Sequence, residues 1–121
     1  EHGLLGVEQA GEHVENATER RTGTPVYSLY GADRRPDPAH LADLDILVYD
    51  IQAVGSRYYT YLSTLRLLLQ AAAETRTPVL VLDRPNPLGG LRVEGFPAFE
   101  EECRSFVSCA PIPIRHGLTV G

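Results

Sequence analysis

At 121 residues, with 43% hydrophobic and 22% charged side chains, the chain has the length of one small domain and enough apolar mass for a core. That composition excludes a disordered polymer, and a formal net charge of −5 argues against a nucleic-acid backbone as partner. No apolar run approaches the roughly 20 residues a membrane span needs.

Glu1-His2-Gly3 opens the sequence with a carboxylate beside an imidazole. The pair suits acid–base chemistry, or equally a surface Glu and a loop His. There is no Met, and Leu118-Thr119-Val120-Gly121 ends the chain like an approach to a helix, so an internal fragment of a longer protein is expected. A leader peptide would lie outside such a fragment.

Ala10 to Glu19 carries a weak helical pattern. Val26–Tyr30 is short, β-prone and closed by Gly31, which predicts a strand. Arg34 to His40 contains two prolines and reads as a loop. Ile46–Asp50 and Val79–Asp83 are nearly continuous apolar runs, the pattern of parallel strands buried on both faces. Between them Tyr58, Tyr61, Leu62, Leu65, Leu68, Leu69 and Ala72 recur at helical spacing. They predict a helix over about Arg57 to Glu74, with Ser56 as N-cap. The unit Ile46 to Asp83 is therefore β-α-β with a right-handed crossover. The expected fold class is α/β, a parallel sheet with flanking helices.

Arg84 to Pro113 is rich in Pro and Gly and reads as mostly irregular, with a short helix near Phe99 to Cys103. Cys103 and Cys109 fit a short-loop disulfide or two free thiols.

Ligands in open α/β sheets bind beyond the carboxyl ends of the strands. Asp50 and Asp83 stand there, each followed by a polar loop. Asp50 suits a sugar hydroxyl, a neighbouring Arg, or simple loop capping; Gln52 follows it. Arg57 at a helix start suits a carboxylate ligand or a salt bridge to Asp50. Tyr58 and Tyr61 fall on the apolar stripe and suit the core, which leaves Tyr59 as the exposed candidate. Arg84, Asn86 and two prolines form a rigid polar loop. Glu94 sits beside Gly95, and Arg115-His116 follow a stiff Pro-Ile-Pro stretch. Taken singly, Glu94, Arg115 and His116 are as readily structural.

No Gly-x-Gly-x-x-Gly, Walker loop or nucleophile elbow occurs, which argues against dehydrogenase, kinase and α/β-hydrolase chemistry. No metal-ligand spacing is present, so neither metal nor cofactor is expected.

In order, the motifs are Glu1-His2-Gly3, Thr22-Gly23-x-Pro25-Val26-Tyr27-Ser28-Leu29-Tyr30-Gly31, Asp50-Ile51-Gln52-x-Val54-Gly55-x-Arg57-Tyr58-Tyr59-Thr60-Tyr61, Asp83-Arg84-Pro85-Asn86-Pro87-Leu88-Gly89-Gly90, Val93-Glu94-Gly95 and Pro111-Ile112-Pro113-x-Arg115-His116-Gly117-Leu118-Thr119-Val120-Gly121. This series resembles the exo-β-N-acetylmuramidase family of glycoside hydrolases, formerly domain of unknown function 1343. The resemblance covers almost the whole chain. It implies release of terminal N-acetylmuramic acid from the non-reducing end of peptidoglycan fragments. It also implies a Rossmann-like N-terminal catalytic domain, of which residues 1–121 would be the central and C-terminal part, and a smaller C-terminal domain absent from this chain. Muramyl saccharides would be the partners and the parent protein would be secreted or periplasmic; the fragment alone is expected to be inactive.

Glycosidases commonly use two carboxyl groups. Glu1 and Glu94 are the expected catalytic pair, with Asp50 in reserve. His2, Asp50, Gln52, Arg57, Tyr59, Arg84, Asn86, Arg115 and His116 are the expected substrate contacts. Arg57 or Arg115 would meet the lactyl carboxylate, and His116 would hydrogen-bond the sugar or tune a carboxyl. Leu5 replaces an Arg, and Ala53 an Asp, expected in many relatives, which leaves specificity open. The competing readings are a non-catalytic α/β module binding a sugar or nucleotide, and a structural fragment.

Overall fold

The computed structural model describes residue 9 and residues 13–30, 34–97 and 100–121. β1 (Ala17–Thr18) and β2 (Pro25–Val26) pair antiparallel. Glu19 builds their turn. Its carboxylate accepts from the backbone N–H of Arg21, the Thr22 hydroxyl and the Thr22 N–H, which holds its pKa below the ordinary range.

The structure departs from the expected elements at two places in this region. The described part of the segment to Glu19 is extended instead of helical; cross-strand pairing overrides a weak propensity. Of Val26–Tyr30 only Val26 joins a strand, and that strand lies outside the parallel sheet. Side chains capture the next backbone groups: Asn16 Oδ1 accepts from Ser28 N–H at 2.8 Å, and Ser28 Oγ from Tyr30 N–H at 3.0 Å.

The Arg34–His40 loop contains a single 3-10 turn, Pro38–His40, capped by Asp37. A second 3-10 turn, Glu101–Cys103, stands where a short helix is expected; Phe99 lies outside the described residues.

β3 (Leu47–Tyr49) and β4 (Val79–Val81) pair in parallel with Leu47 opposite Val79 and Tyr49 opposite Val81. α1 (Tyr61–Thr75) connects them. Leu65 and Leu68 are buried with Tyr49 against Leu47, Val79, Val81 and Val120, and Ala71 and Ala72 with Leu41 against Leu47 and Val79. Each buried leucine stabilises by about 1.5–3 kcal/mol. Burial pushes the Tyr49 phenol up to about 12, the charge of Tyr61 adding to it, and the hydroxyl donates to the Tyr61 carbonyl at 2.8 Å.

Strand side chains alternate faces. Val48 is 50% and Leu80 46% exposed, so among the described residues the sheet is covered on one face, a correction to the expected burial on both. The helix stripe shifts likewise. Tyr58 and Leu69 are exposed, while Ser63 and Thr64 are buried and donate to the carbonyls of Phe106 and Thr60.

α1 also starts later than expected, with Thr60 as N-cap instead of Ser56. The residues before it meet the end of the chain instead: Ser56 bridges to Arg115, and Arg57, in a turn, donates its N–H to the Ile114 carbonyl at 2.8 Å. Among the described residues no helix is long and apolar enough to cross a membrane.

Candidate active site

The segments that follow β3 and β4 meet the end of the chain. The Ile114–His116 stretch runs between two others. On one side Arg57 N–H donates to Ile114 and His116 N–H to Gly55; on the other Glu94 and Arg115 exchange backbone hydrogen bonds at 2.9 and 3.0 Å. Bridges, not a full strand, hold this layer, because Pro111 and Pro113 remove N–H donors just before it.

Gly55 makes room for the next loop. Its φ is 79°, and a Cβ there would overlap Asn86 Oδ1. Asn86 uses that space to join segments: Nδ2 donates to the Leu118 carbonyl at 3.0 Å, and Oδ1 accepts from Leu88 N–H at 2.9 Å. Gly90 and Gly117 approach backbone to backbone nearby.

Asp83 anchors the end of the chain. Its carboxylate accepts from the Thr119 hydroxyl and from the backbone N–H groups of Gly121, Arg84 and Val120, and these hold its pKa below the usual carboxylate range, the Thr119 bond most of all.

Three guanidinium groups lie within this framework, each engaged differently. Arg57 is only 8% exposed and donates through Nη1 to the carbonyls of Phe96 and Ile112, both at 2.8 Å. It ties the 93–97 and 111–115 segments together. It stands before the helix rather than at its start, and its expected alternative partner Asp50 is bound by Arg84 instead. Arg115 pairs with Glu94 at 2.8 Å and also donates to the Leu88 carbonyl. Arg84 contacts Asp50 through Nη2 and is more exposed than Arg115.

His116 is 9% exposed, and burial lowers its pKa from the ordinary value of 6.5. Its Nδ1 accepts from Leu118 N–H at 3.1 Å, which requires that nitrogen to be unprotonated and puts the proton of the neutral ring on Nε2.

The structure thus brings Asp50, Arg57, Arg84, Asn86, Glu94, Arg115 and His116 into one connected framework at the carboxyl ends of β3 and β4. Gln52 bonds the Ala53 carbonyl at 2.5 Å. Tyr59 is exposed and packs edge-on against Tyr61 at 5.0 Å. Glu1, His2 and Leu5 lie outside the described residues. The roles of Gly55, Asp83 and Thr119 are additions to the expected set. Asp83 was legible as a strand-end carboxylate, but its partners come from the far end of the chain.

Cys103 and Cys109 are free thiols. Among the described residues no cluster of His, Cys, Asp or Glu is fit to hold a metal ion. A hollow of about 910 Å³ lies elsewhere, walled by Tyr27, His40, Leu41, Leu47 and Glu74. None of the charged motif residues lines it.

The sequence pattern described as Exo-beta-N-acetylmuramidase NamZ, N-terminal, matches residues 1–121. A curated relative, Peptidoglycan beta-N-acetylmuramidase NamZ of Bacillus subtilis (strain 168), is 50% identical over 121 residues, all of this chain and 29% of that protein. A DUF1343 family protein from Bacteroides fragilis NCTC 9343 superposes with a TM-score of 0.84 at 48% identity, over 98% of this chain and 29% of that one. A second from the same strain gives 0.74 at 42% identity, over 86% and 28%. The chain therefore spans less than a third of these relatives' length. With the pattern matched from end to end and half the residues identical to a curated member, the chain belongs to the NamZ exo-β-N-acetylmuramidase family.

Proposed function

We propose that this chain is part of the catalytic domain of an exo-acting glycosidase that removes terminal N-acetylmuramic acid from peptidoglycan fragments. The observation that carries the reading is the match over the whole chain to a family and a relative with that activity in their names. The convergence of Asp50, Arg84, Glu94, Arg115 and His116 at the strand ends supports it. Peptidoglycan lies outside the cytoplasmic membrane, so the parent protein acts in the periplasm or the medium.

Two carboxyl groups divide the work in such chemistry. Glu94 is exposed and paired with Arg115, so it suits the carboxylate that attacks or activates water. Glu1 is then the acid that protonates the leaving oxygen. His116 offers one hydrogen-bond donor, Nε2–H, to a sugar hydroxyl, and Gln52 and Tyr59 complete the contacts. Arg57 and Asn86 support the site by joining its loops.

The test is incubation of the full-length protein with a chromogenic N-acetylmuramide and with the matching N-acetylglucosaminide. Release from the muramide is expected, with Glu94→Gln and Glu1→Gln each lowering kcat/KM by roughly 10²–10⁴. Preference for the glucosaminide, or full activity in either variant, would overturn the reading.

A further inference from the structure

Resting on the muramidase reading, we propose that Arg84 is the residue that recognises the lactyl carboxylate, and that Asp50 is the positioning residue that aims it. A muramide differs from a glucosaminide by a lactyl ether carrying one negative charge. A selective site needs a cation with donors to spare.

Of the three guanidinium groups in the framework, two are engaged by the fold. Arg57 is buried with Nη1 held by two backbone carbonyls and Nη2 against the Tyr58 hydroxyl. Displacing it would leave those carbonyls without partners. Arg115 gives Nη1 to Glu94 and Nη2 to the Leu88 carbonyl, and its Nε is buried. An anion added there would compete with Glu94. Of the three, Arg84 combines exposure with free donors: among the described residues only Nη2 has a partner, Asp50, which leaves Nε and Nη1 for a ligand. A guanidinium fork takes one carboxylate on each edge, so Asp50 can hold one edge while the substrate binds another.

The loop suits this task. Pro85 and Pro87 stiffen it. Asp83 holds its start through Thr119, Val120 and Gly121, and Asn86 holds its middle through Leu118. Its Leu88 carbonyl rests on Arg115, the partner of Glu94. The anion anchor therefore stands at one end of a short braced loop whose other end touches the partner of the reacting carboxylate; fully extended, the loop spans about 14 Å from residue 84 to residue 88.

The decisive experiment uses the full-length protein and two chromogenic N-acetylmuramides that differ only in bearing a lactyl carboxylate or the neutral carboxamide. The wild type should favour the carboxylate by roughly ten- to a hundredfold in kcat/KM. Arg84→Gln should bring that ratio close to one by losing the carboxylate substrate while turnover of the carboxamide stays within about threefold. Arg84→Lys, which keeps a charge without the fork, should restore part of the preference. An equal loss on both substrates, or an unchanged ratio, would assign Arg84 to the fold and overturn the inference. Circular dichroism of each variant separates misfolding from lost recognition. If the wild type cleaves neither substrate, the muramidase reading fails, and calorimetric titration with N-acetylmuramic acid and its amide still decides the anion site: Arg84→Gln must weaken the acid alone.

Discussion

The protonation of His116 is set by a neighbour two positions along the chain. The Leu118 N–H points at Nδ1, so a proton there would destroy the hydrogen bond and add a buried charge. At neutral pH, nitrogen-15 NMR is expected to report a neutral ring protonated on Nε2. The same geometry fixes a pH dependence. The folded-state pKa of His116 is depressed, so the unfolded chain binds more protons, and stability rises with pH. The contribution is complete above the ordinary 6.5 and is lost as pH falls through the lower folded value. Asp83, also depressed, contributes fully above its ordinary 3.8 and fails only at more acid pH. Urea unfolding should show one loss below neutrality and another at more acid pH, to which the depressed Glu19 carboxyl also contributes, and His116→Gln should remove the first while leaving the second.

Gly55 is the other residue whose surroundings dictate its identity. Ala there would adopt φ 79°, at a cost of about 1–2 kcal/mol, and its Cβ would overlap the Asn86 amide. Gly55→Ala should therefore destabilise by more than about 2 kcal/mol. In a double-mutant cycle with Asn86→Ala the cost should fall, since the clash is removed. Additive losses would show that backbone strain alone sets the penalty.

Among the elements, α1 makes the clearest energetic statement. Leu65 is 4% exposed and packs with Tyr49 and Leu68, whereas Leu69, on the same helix, is 45% exposed. Leu65→Ala should cost about 2–5 kcal/mol, and Leu69→Ala less than about 1 kcal/mol because little of its apolar surface is removed from water. Equal losses in denaturant titrations of the chain would mean that the outer helix face is covered. The late start of α1 belongs to the same scale. Its first candidate turn is used by residues 55–57 to reach the 114–116 segment, which is how the site framework is joined to the helix.

Across the whole molecule, one sheet face carries α1 and the other presents Ile46, Val48, Leu80 and Leu82, all exposed. Contiguous apolar surface of this kind binds hydrophobic probes and partners. The isolated chain is expected to bind an anilinonaphthalene dye more strongly, mole for mole, than the full-length protein. Replacing Val48 with Thr and Leu80 with Gln should reduce that binding without loss of folding cooperativity. Undiminished dye binding would locate the exposed surface elsewhere, for example at Leu91 and Phe96.

The central β-α-β unit was legible in the sequence. The apolar runs at Leu47–Tyr49 and Val79–Val81 and the helical recurrence of Leu65, Leu68 and Ala72 are local patterns, and burial follows from side-chain periodicity. The family was legible too, since its motif strings lie within contiguous residues. The partners of each charged residue were not. Asp50 with Arg84, Glu94 with Arg115 and Asp83 with Thr119 are separated by tens of residues, and each of these groups had several chemically equivalent candidates. Only the folded backbone, through the bend at Gly55 and the bridges around Arg115, brings one candidate within bonding distance and takes the others away. Burial of Arg57 is likewise a tertiary outcome: a guanidinium that reads as a ligand contact becomes a clamp once two carbonyls from distant loops converge on it.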